Sequence, residues 1–351
     1  MLLNYSMSNS TDKCAVCGRL TSLFNYGAHS CSACGSFFRR CLTTPRYFED
    51  CGNHEQCFKD FSRAVHSDCK FCRFHKCILV GMLTTSRFSH LTKIIGNLAL
   101  MDTKREYAYI NMIVPDNFRP DELLKQGSVK LTQKPAGTVF DCHDWGFMNQ
   151  ITIIEYLKKL DFTKFLSSQD HKSYLTTVHF THVILTSAWR SYNLKQDFMS
   201  FPDGVDIFPE SVKSVSCISP HLQNRIRCLL INRFKELKLT NEEYLLLCAI
   251  VFSNPGFSSL SDTGRTMLGA YQNVFCSSLF QYCTSKYQQN AHTRFHELLS
   301  VFNVVTKTYE DIKKYLILFQ YSQPNEQPKQ MYMEVLQLLN YTLAEMFTVW
   351  D

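Results

Sequence analysis

Residues 14–17, CAVC, and residues 31–40, CSACGSFFRR, decide how the first part of this 351-residue chain folds. They contain the first of two sets of four cysteines. The sets are Cys14, Cys17, Cys31 and Cys34, and then Cys51, Cys57, Cys69 and Cys72. Thiolate is the ligand that zinc prefers in closed tetrahedral sites, and Cys-x2-Cys pairs place two sulfur atoms near one ion. The sequence therefore predicts two structural zinc ions, which supply folding free energy to a segment with little core of its own.

The residues around these cysteines predict two helices that suit DNA recognition. A helix over residues 32–42 turns Phe37 and Phe38 inward. Its other side chains are available to a DNA groove or to phosphates, and they are Ser32, Ala33, Ser36, Arg39 and Arg40. A second helix begins near Cys69, alternates basic and aromatic residues, and stops at Gly81. If the two helices cross, one can enter the major groove while the other supports it.

Charge supports DNA binding through local clustering and not through a large net charge. Residues 1–83 contain ten Lys and Arg against six Asp and Glu, and the whole chain has a formal charge of +6. Thiolates bound to zinc make this segment more negative, so its overall field is not strongly positive. Phosphate contacts depend on local neutralisation of charge. The basic residues that cluster are Arg39, Arg40, Arg63, Lys70, Arg73 and Lys76.

Residues 14–82 closely resemble the DNA-binding domain of nuclear hormone receptors, especially the divergent nematode members. The resemblance is carried by the run FFRR at residues 37–40 and by the ending CRFxKCxxxGM at residues 72–82. It implies that helix 32–42 enters the major groove of double-stranded DNA and that Arg39 and Arg40 contact DNA. It also implies four residues that contact the DNA backbone, namely Tyr26, Arg63, Arg73 and Lys76.

Two positions depart from the pattern of that family. Gly35 stands where members usually carry a Lys that contacts a guanine, and Asn25 replaces the His that usually precedes the Tyr-Gly pair. The side chains left at the base-contacting positions are small and uncharged, so they cannot form a bidentate Arg or Lys contact with guanine. An alternative function therefore stays open: a receptor-derived zinc module that regulates transcription through protein partners, without direct DNA binding.

The chain from about residue 145 onward predicts helix after helix. Ile151, Ile154 and Leu157 recur every three residues, as on an amphipathic helix. Thr240-x-x-Glu243 is a capping box that opens another helix. An apolar stripe over residues 295–319 is interpreted either as core or as a dimer surface. These patterns indicate an all-helical domain over residues 145–351, preceded by a zinc module at 11–83 and a hinge or linker at 84–144.

The same family accounts for the order of these parts. Residues 155–175 and the AWRS sequence at residues 188–191 are similar to its ligand-binding domain. The resemblance implies an all-α three-layer helical sandwich that encloses an apolar pocket for a small ligand. Two interpretations of Arg190 stay open: contact with a ligand carboxylate, or pairing with an acidic neighbour.

The resemblance also implies a clamp for a coactivator helix, built from one cation and one anion. Lys158 would hold the C-terminus of that helix, because a helix C-terminus attracts a cation, and a glutamate on the last helix would hold its N-terminus. Glu334 fits the last-helix pattern better, and Glu345 is the alternative.

Together these observations predict a ligand-regulated or constitutive, sequence-specific DNA-binding transcription factor of nuclear receptor type. Its expected partners are two zinc ions, double-stranded DNA, transcriptional coregulators, a small apolar ligand, and a homo- or heterodimer partner. Zinc thiolates suit a reducing compartment, and we expect the nucleus. No apolar run is long enough to span a membrane. An enzyme is not expected, because four cysteines per zinc leave no open coordination position for a reacting water.

Overall fold

The computed structural model describes residues 12–43, 49–64, 68–82, 89–115, 118–125, 127–208, 219–256 and 259–322. Glu334 and Glu345, the two candidates for the last-helix glutamate, lie outside the described residues. The backbone of Arg63 is described, but its side chain lies outside the described part of the chain.

The described residues of the zinc module form two small hairpins and three helices. Its strands are β1 (Asp12–Lys13), β2 (Leu20–Thr21), β3 (Phe24–Asn25) and β4 (Ala28–His29), and its helices are α1 (Ser32–Thr43), α2 (Phe61–Ala64) and α3 (Lys70–Leu79). The strands pair antiparallel, β1 with β2 and β3 with β4. Tyr26 and Gly27 join β3 to β4 with φ values of 55° and 92°. Positive φ at both positions is what a two-residue hairpin turn requires. The predicted helix over residues 32–42 is confirmed as α1.

Within the described residues, the second part of the chain is helical apart from one short strand pair, β5 (Met112–Ile113) with β6 (Thr132–Gln133). Its helices are α4 (Ser89–Asn111), α5 (Cys142–Leu157), α6 (Ser168–Asn193), α7 (Pro220–Leu237), α8 (Asn241–Phe252), α9 (Asp262–Tyr287), α10 (Ala291–Leu299) and α11 (Val301–Ser322). Short 3₁₀ turns lie at Pro120–Leu124, Thr163–Phe165 and Gln288–Asn290. Within the described residues, no helix is both long enough and apolar enough to cross a membrane.

The helices of the second part pack around α6 and α8, which is consistent with the predicted sandwich. Helix α6 contacts α5 on one side and α7, α8 and α11 elsewhere, while α8 contacts α4, α9 and α10. Helix α8 is buried on almost every side, from Glu243 to Phe252. The predicted capping box opens it: the Thr240 hydroxyl accepts a hydrogen bond from the Glu243 N–H, and the Glu243 carboxylate accepts one from the Thr240 N–H. The predicted fold class is therefore confirmed: two cysteine sets are followed by a domain that is mostly helical in the described residues.

The segment expected to be a hinge contains the packed helix α4. This 23-residue helix lies against α5 and α8. Its buried face includes Leu98 and Tyr109, and also Arg105, which is only 5% exposed. A buried arginine interrupts the apolar pattern that announces an amphipathic helix, so this packing is not evident from the sequence.

The apolar stripe at residues 295–319 is divided between α10 and α11. Leu298, Val301 and Val305 from this stripe are buried in the main core. Helix α11 packs on α7 and α6. A large part of the stripe therefore belongs to the core, as the first of its two interpretations states.

Candidate zinc centres and nucleic-acid interface

The first cysteine set has the geometry of a closed metal site. The sulfur atoms of Cys14, Cys17, Cys31 and Cys34 all lie within 4.8 Å of one another, and all four residues are buried. The Cys17 and Cys31 sulfur atoms are 3.7 Å apart. Tetrahedral zinc with a Zn–S bond of about 2.3 Å places its sulfur ligands about 3.8 Å apart. The donor set therefore fits a zinc ion.

The loop between the first two cysteines is tightly folded. The Gly18 N–H donates to the Cys14 carbonyl at 2.8 Å, and Gly18 has a φ of 75°. Cβ on Gly18 would lie 2.7 Å from Phe61, so both the backbone and the space favour glycine there.

The second cysteine set is more exposed but equally compact. The sulfur atoms of Cys51, Cys57, Cys69 and Cys72 also lie within 4.8 Å of one another. Two backbone groups support thiolate ligands: the Asn53 N–H lies 3.3 Å from the Cys51 sulfur, and the Cys72 N–H lies 3.5 Å from the Cys69 sulfur. This donor set fits a second zinc ion, as predicted.

Helix α1 presents the side chains that were expected to face DNA. Ser32, Ala33, Arg39 and Arg40 are exposed, and Ser36 is partly exposed. On the opposite side, Phe37 and Phe38 are 8% and 1% exposed and anchor the helix in the module core. The helix is thus held by its aromatic face while its basic end remains accessible.

The residues expected to contact the DNA backbone have different environments. Tyr26 is partly buried and packs edge-on against Phe38, with ring centroids 5.3 Å apart. The Arg73 guanidinium donates to the Cys34 sulfur at 3.4 Å and lies 4.7 Å from the centroid of the Phe37 ring. Lys76 is partly buried and lines a cleft between the zinc module and α9. Arg73 therefore already has an internal partner, and Lys76 lies beside the helical domain.

The two departures from the family pattern touch each other in the structure. Gly35 is buried on α1, and Cβ added there would lie 3.2 Å from Cγ and 3.3 Å from Nδ2 of Asn25. Asn25 is itself held, because its Nδ2 donates to the Ser30 carbonyl at 2.7 Å. Glycine at position 35 therefore makes room for asparagine at position 25, a relation that their separate places in the sequence do not reveal.

Lys158, the expected coactivator cation, is engaged within the chain. It follows the last residue of α5, and its side chain is 3% exposed. Its ammonium group lies 2.8 Å from the Glu155 carboxylate and donates to the Gly127 carbonyl at 2.9 Å. Burial lowers the pKa of Lys158, while the neighbouring Glu155 carboxylate raises it. A partner helix that used this group would replace or join these contacts.

Arg190 pairs with an acidic neighbour, the second of its two interpretations. Its Nε lies 2.6 Å from the Glu106 carboxylate, and its guanidinium lies 4.6 Å from the centroid of the Tyr109 ring. The same carboxylate lies 2.8 Å from Arg105, which also pairs with Asp102 at 3.1 Å. This network joins α4 to α6. Its α4 members were not predicted from the sequence, although Asp102 and Arg105 stand at the i, i+3 spacing of a helical ion pair.

The helical domain also contains a cavity of ligand size. It has a volume of about 460 Å³ and lies between α6, α8, α9 and α11. Its walls combine apolar and hydrogen-bonding side chains, including Val178, Ile250, Phe302, Thr181 and Gln272. Small-molecule sites in proteins commonly have volumes of about 300–1,000 Å³ and such mixed walls.

The fold and the two cysteine sets define the class of protein: a zinc-finger protein with a helical domain that contains a cavity of ligand size. A family model described as "Double treble clef zinc finger, C4 type" matches residues 12–84, and one described as "Ligand-binding domain of nuclear hormone receptor" matches residues 127–321. The chain belongs to the nuclear hormone receptor family. Members of this family are transcription factors and not enzymes, so the expectation that the chain is no enzyme is confirmed.

Several curated relatives from Caenorhabditis elegans are similar along nearly the whole chain. Nuclear hormone receptor family member nhr-27 is 57% identical over 335 residues, which cover 95% of both chains. Member nhr-167 is 34% identical over 328 residues, covering 91% of this chain and 95% of the relative. Member nhr-9 is 34% identical over 337 residues, covering 96% and 99%. The resemblance to divergent nematode receptors is therefore confirmed.

Proposed function

We propose that this chain regulates transcription in the nucleus by binding double-stranded DNA through α1. The observation that carries the proposal is the exposure of Arg39 and Arg40 on a helix whose opposite face, Phe37 and Phe38, is buried. This arrangement holds two cations at a fixed position relative to the first zinc set. Guanidinium groups held in this way neutralise phosphates and release counterions, which supplies much of the free energy of DNA binding.

The bound zinc ions would contribute structure and not chemistry. The first set ties α1 to the hairpins, and the second set ties α3 to the loop at residues 51–57. Helix α3 supports α1, because Phe38 stacks on Phe74 with ring centroids 5.7 Å apart. Arg73 contributes to this support through its contacts with Cys34 and Phe37. We propose that Arg73 positions α1 and that Arg63 and Tyr26 contact the DNA backbone.

Recognition of the DNA base sequence would depend on small side chains. Ser32, Ala33 and Ser36 can contact a thymine methyl group or accept and donate single hydrogen bonds, but they cannot hold a guanine in two places. Gly35 adds no side chain, and Asn25 covers it. We therefore expect modest base preference combined with a strong dependence on phosphate contacts and on DNA shape.

The helical domain would recruit coregulators at the end of α5. Lys158 lies there, and its ammonium group is held in place by Glu155 and Gly127. A coactivator helix would offer backbone carbonyls at its C-terminus to this ammonium group. The anionic partner of the clamp would be Glu334, or else Glu345. The cavity between α6, α8 and α11 supports regulation by a small ligand, and dimerisation belongs to the same proposal.

Selection from random duplex DNA by the full-length, zinc-loaded chain tests DNA binding directly. We expect an enriched motif and an affinity that falls as salt rises, with a log–log slope of about 0.9 per phosphate contact. Arg39→Ala combined with Arg40→Ala should weaken binding and flatten that slope. The matched control removes two exposed lysines of the helical domain, Lys238→Ala with Lys314→Ala, and should leave the slope unchanged.

The alternative function gives a different result in the same experiment. A folded chain that holds two zinc ions but enriches no DNA sequence would support a zinc module that acts through protein partners. The glycine at position 35 favours this alternative, because it leaves one side chain fewer on the face of α1 that would contact bases. The salt dependence separates the two cases, because a protein-interaction module shows no slope tied to Arg39 and Arg40.

A further inference from the structure

The second zinc set lies at a contact between the zinc module and the helical domain. Phe74 of α3 stacks on Phe165, which belongs to the 3₁₀ turn between α5 and α6, with ring centroids 3.9 Å apart. Neither ring is more than 1% exposed. Helix α3 also packs along α9. The other face of Phe74 meets Phe38 of α1, so a continuous aromatic stack runs from the DNA-facing helix into the helical domain.

Two carboxylates next to the second zinc set contact the N-terminal ends of two helices. Both oxygens of Asp50 lie 3.2 Å from the backbone N–H of Ser168, the first residue of α6. The Glu55 carboxylate accepts a hydrogen bond from the hydroxyl of Thr263, in the first turn of α9. A helix N-terminus carries partial positive charge and unpaired N–H groups, so it attracts carboxylates.

The surface that receives these carboxylates is already assembled within the helical domain. Asp170 joins the starts of α6 and α9: it accepts hydrogen bonds from the Ser261 N–H at 2.8 Å, from the Ser261 hydroxyl at 2.6 Å and from the Ser167 hydroxyl at 3.1 Å. Gly264 permits this approach, because Cβ there would lie 2.8 Å from the Asp170 carboxylate. The two helix ends therefore keep a fixed spacing that matches the two carboxylates.

The opposing surface depends on the cysteines of the second set. Asp50 precedes Cys51, and Glu55 lies between Cys51 and Cys57. His54 and Glu55 have φ values of 43° and 61°, which are unfavourable for residues other than glycine. Cys51 and Cys57, two ligands of the same zinc ion, would hold this short loop in that conformation. Phe74 follows Cys72, a third ligand, by two residues on α3.

We propose that the face formed by Asp50, Glu55 and Phe74 latches the zinc module to the helical domain of the same chain, so that docking and zinc retention at the second cysteine set stabilise each other. Such coupling is reciprocal by thermodynamic necessity. The docking groups of the helical domain lie far along the chain from the eight cysteines of the two zinc sets. Removal of one of these groups therefore speeds the release of zinc. The latch does not depend on DNA binding.

Ser168→Pro in the full-length, zinc-loaded chain tests the latch with little disturbance of α6. Proline is tolerated at the first position of a helix and only removes the N–H that Asp50 accepts. The preceding Ser167 already has the extended ψ of 159° that proline requires. The matched control is Asn241→Pro, the same change at the first position of α8.

Zinc release to a coloured chelator and hydrogen exchange of residues 50–57 are measured on the same samples. We expect Ser168→Pro to release one of the two zinc equivalents about threefold faster, the effect of an exposed charged contact, and to speed exchange in that loop. Thr263→Val should act in the same way, while Thr284→Val, at an exposed position near the C-terminal end of α9, serves as its control. Both variants with wild-type release rates would overturn the proposal. So would faster loop exchange without faster zinc release, because the two processes would then be uncoupled.

Discussion

Replacing Gly35 with alanine should destabilise the zinc module, although the same change stabilises the interior of most helices. Gly35 lies on α1, where alanine would normally gain about 1 kcal/mol over glycine. Here the added Cβ would lie 3.2–3.3 Å from three side-chain atoms of Asn25. Such contacts require Asn25 to move by a few tenths of an ångström, and its hydrogen bond to the Ser30 carbonyl at 2.7 Å resists that movement.

The magnitude follows from two opposing contributions. Overpacking a well-filled site costs about 1–3 kcal/mol. Set against the helix-propensity gain, the free energy of unfolding should fall by about 1 kcal/mol for Gly35→Ala. When Asn25→Ala is already present, two of the three close atoms are gone, and Gly35→Ala should then be neutral or stabilising. The coupling between the two positions should therefore be about 1–2 kcal/mol.

A double-mutant cycle measures this coupling. The four full-length proteins are wild type, Gly35→Ala, Asn25→Ala and the double variant, each unfolded in urea at one fixed concentration of free zinc. The free energy of unfolding is taken from the transition that releases zinc. Single effects that add to within about 0.5 kcal/mol would refute a steric conflict between the two positions. A Gly35→Ala change that stabilises the wild-type background would refute it equally.

Three further predictions concern charged side chains. Arg39→Ala and Arg40→Ala should each weaken DNA binding and reduce the log–log salt slope by about one per phosphate contact removed, as fluorescence anisotropy across a salt series will show. Glu106→Gln should lower the free energy of unfolding by about 2 kcal/mol, because it leaves two arginines without their shared partner. Burial raises the pKa of Glu106, but Arg190 and Arg105 lower it by a larger amount, so the net pKa lies below the ordinary 4.5. Since the pKa of Glu106 is lower in the folded state, this stabilisation is present above pH 4.5 and is lost as the pH falls below that value. Urea unfolding should therefore show a smaller effect of Glu106→Gln at pH 4 than at pH 7. Lys158→Ala should reduce binding of an amphipathic coactivator peptide while DNA affinity stays constant, and unchanged peptide affinity in a calorimetric titration would contradict the clamp.

The sequence predicted the zinc sets and α1 well, because both follow local rules. Cysteine spacing specifies which sulfur atoms can meet, and the order of aromatic and basic residues after Cys31 specifies which face of α1 is buried. The capping box at Thr240 is equally local, since its two hydrogen bonds span only three residues. Such features need no knowledge of the rest of the fold.

Many of the contacts that the sequence did not reveal join separate elements of the fold. Helix α4 was expected to be linker, because Arg105 breaks its apolar pattern. Its Glu106 pairs with Arg190, which lies on α6. The contact between Asn25 and Gly35 depends on a hairpin folding back onto a helix. Asp50 has no distinguishing pattern in the sequence, and the packing of α6 against the zinc module gives it a partner.

Three basic side chains for which the sequence suggested an external partner, in the case of Arg190 as one of two interpretations, are bound to groups of the same chain. Arg73 binds Cys34, Lys158 binds Glu155 and Gly127, and Arg190 binds Glu106. Each of them is at least partly buried, and a buried cation is costly unless it is paired. An external ligand must therefore exchange one set of partners for another, and it gains only the difference between them. Arg39 and Arg40 differ in being exposed, so contact with a phosphate carries a smaller desolvation cost. The exposure of Arg39 and Arg40 therefore supports the proposed DNA binding through α1, whereas a partner that binds Lys158 must compete with Gly127.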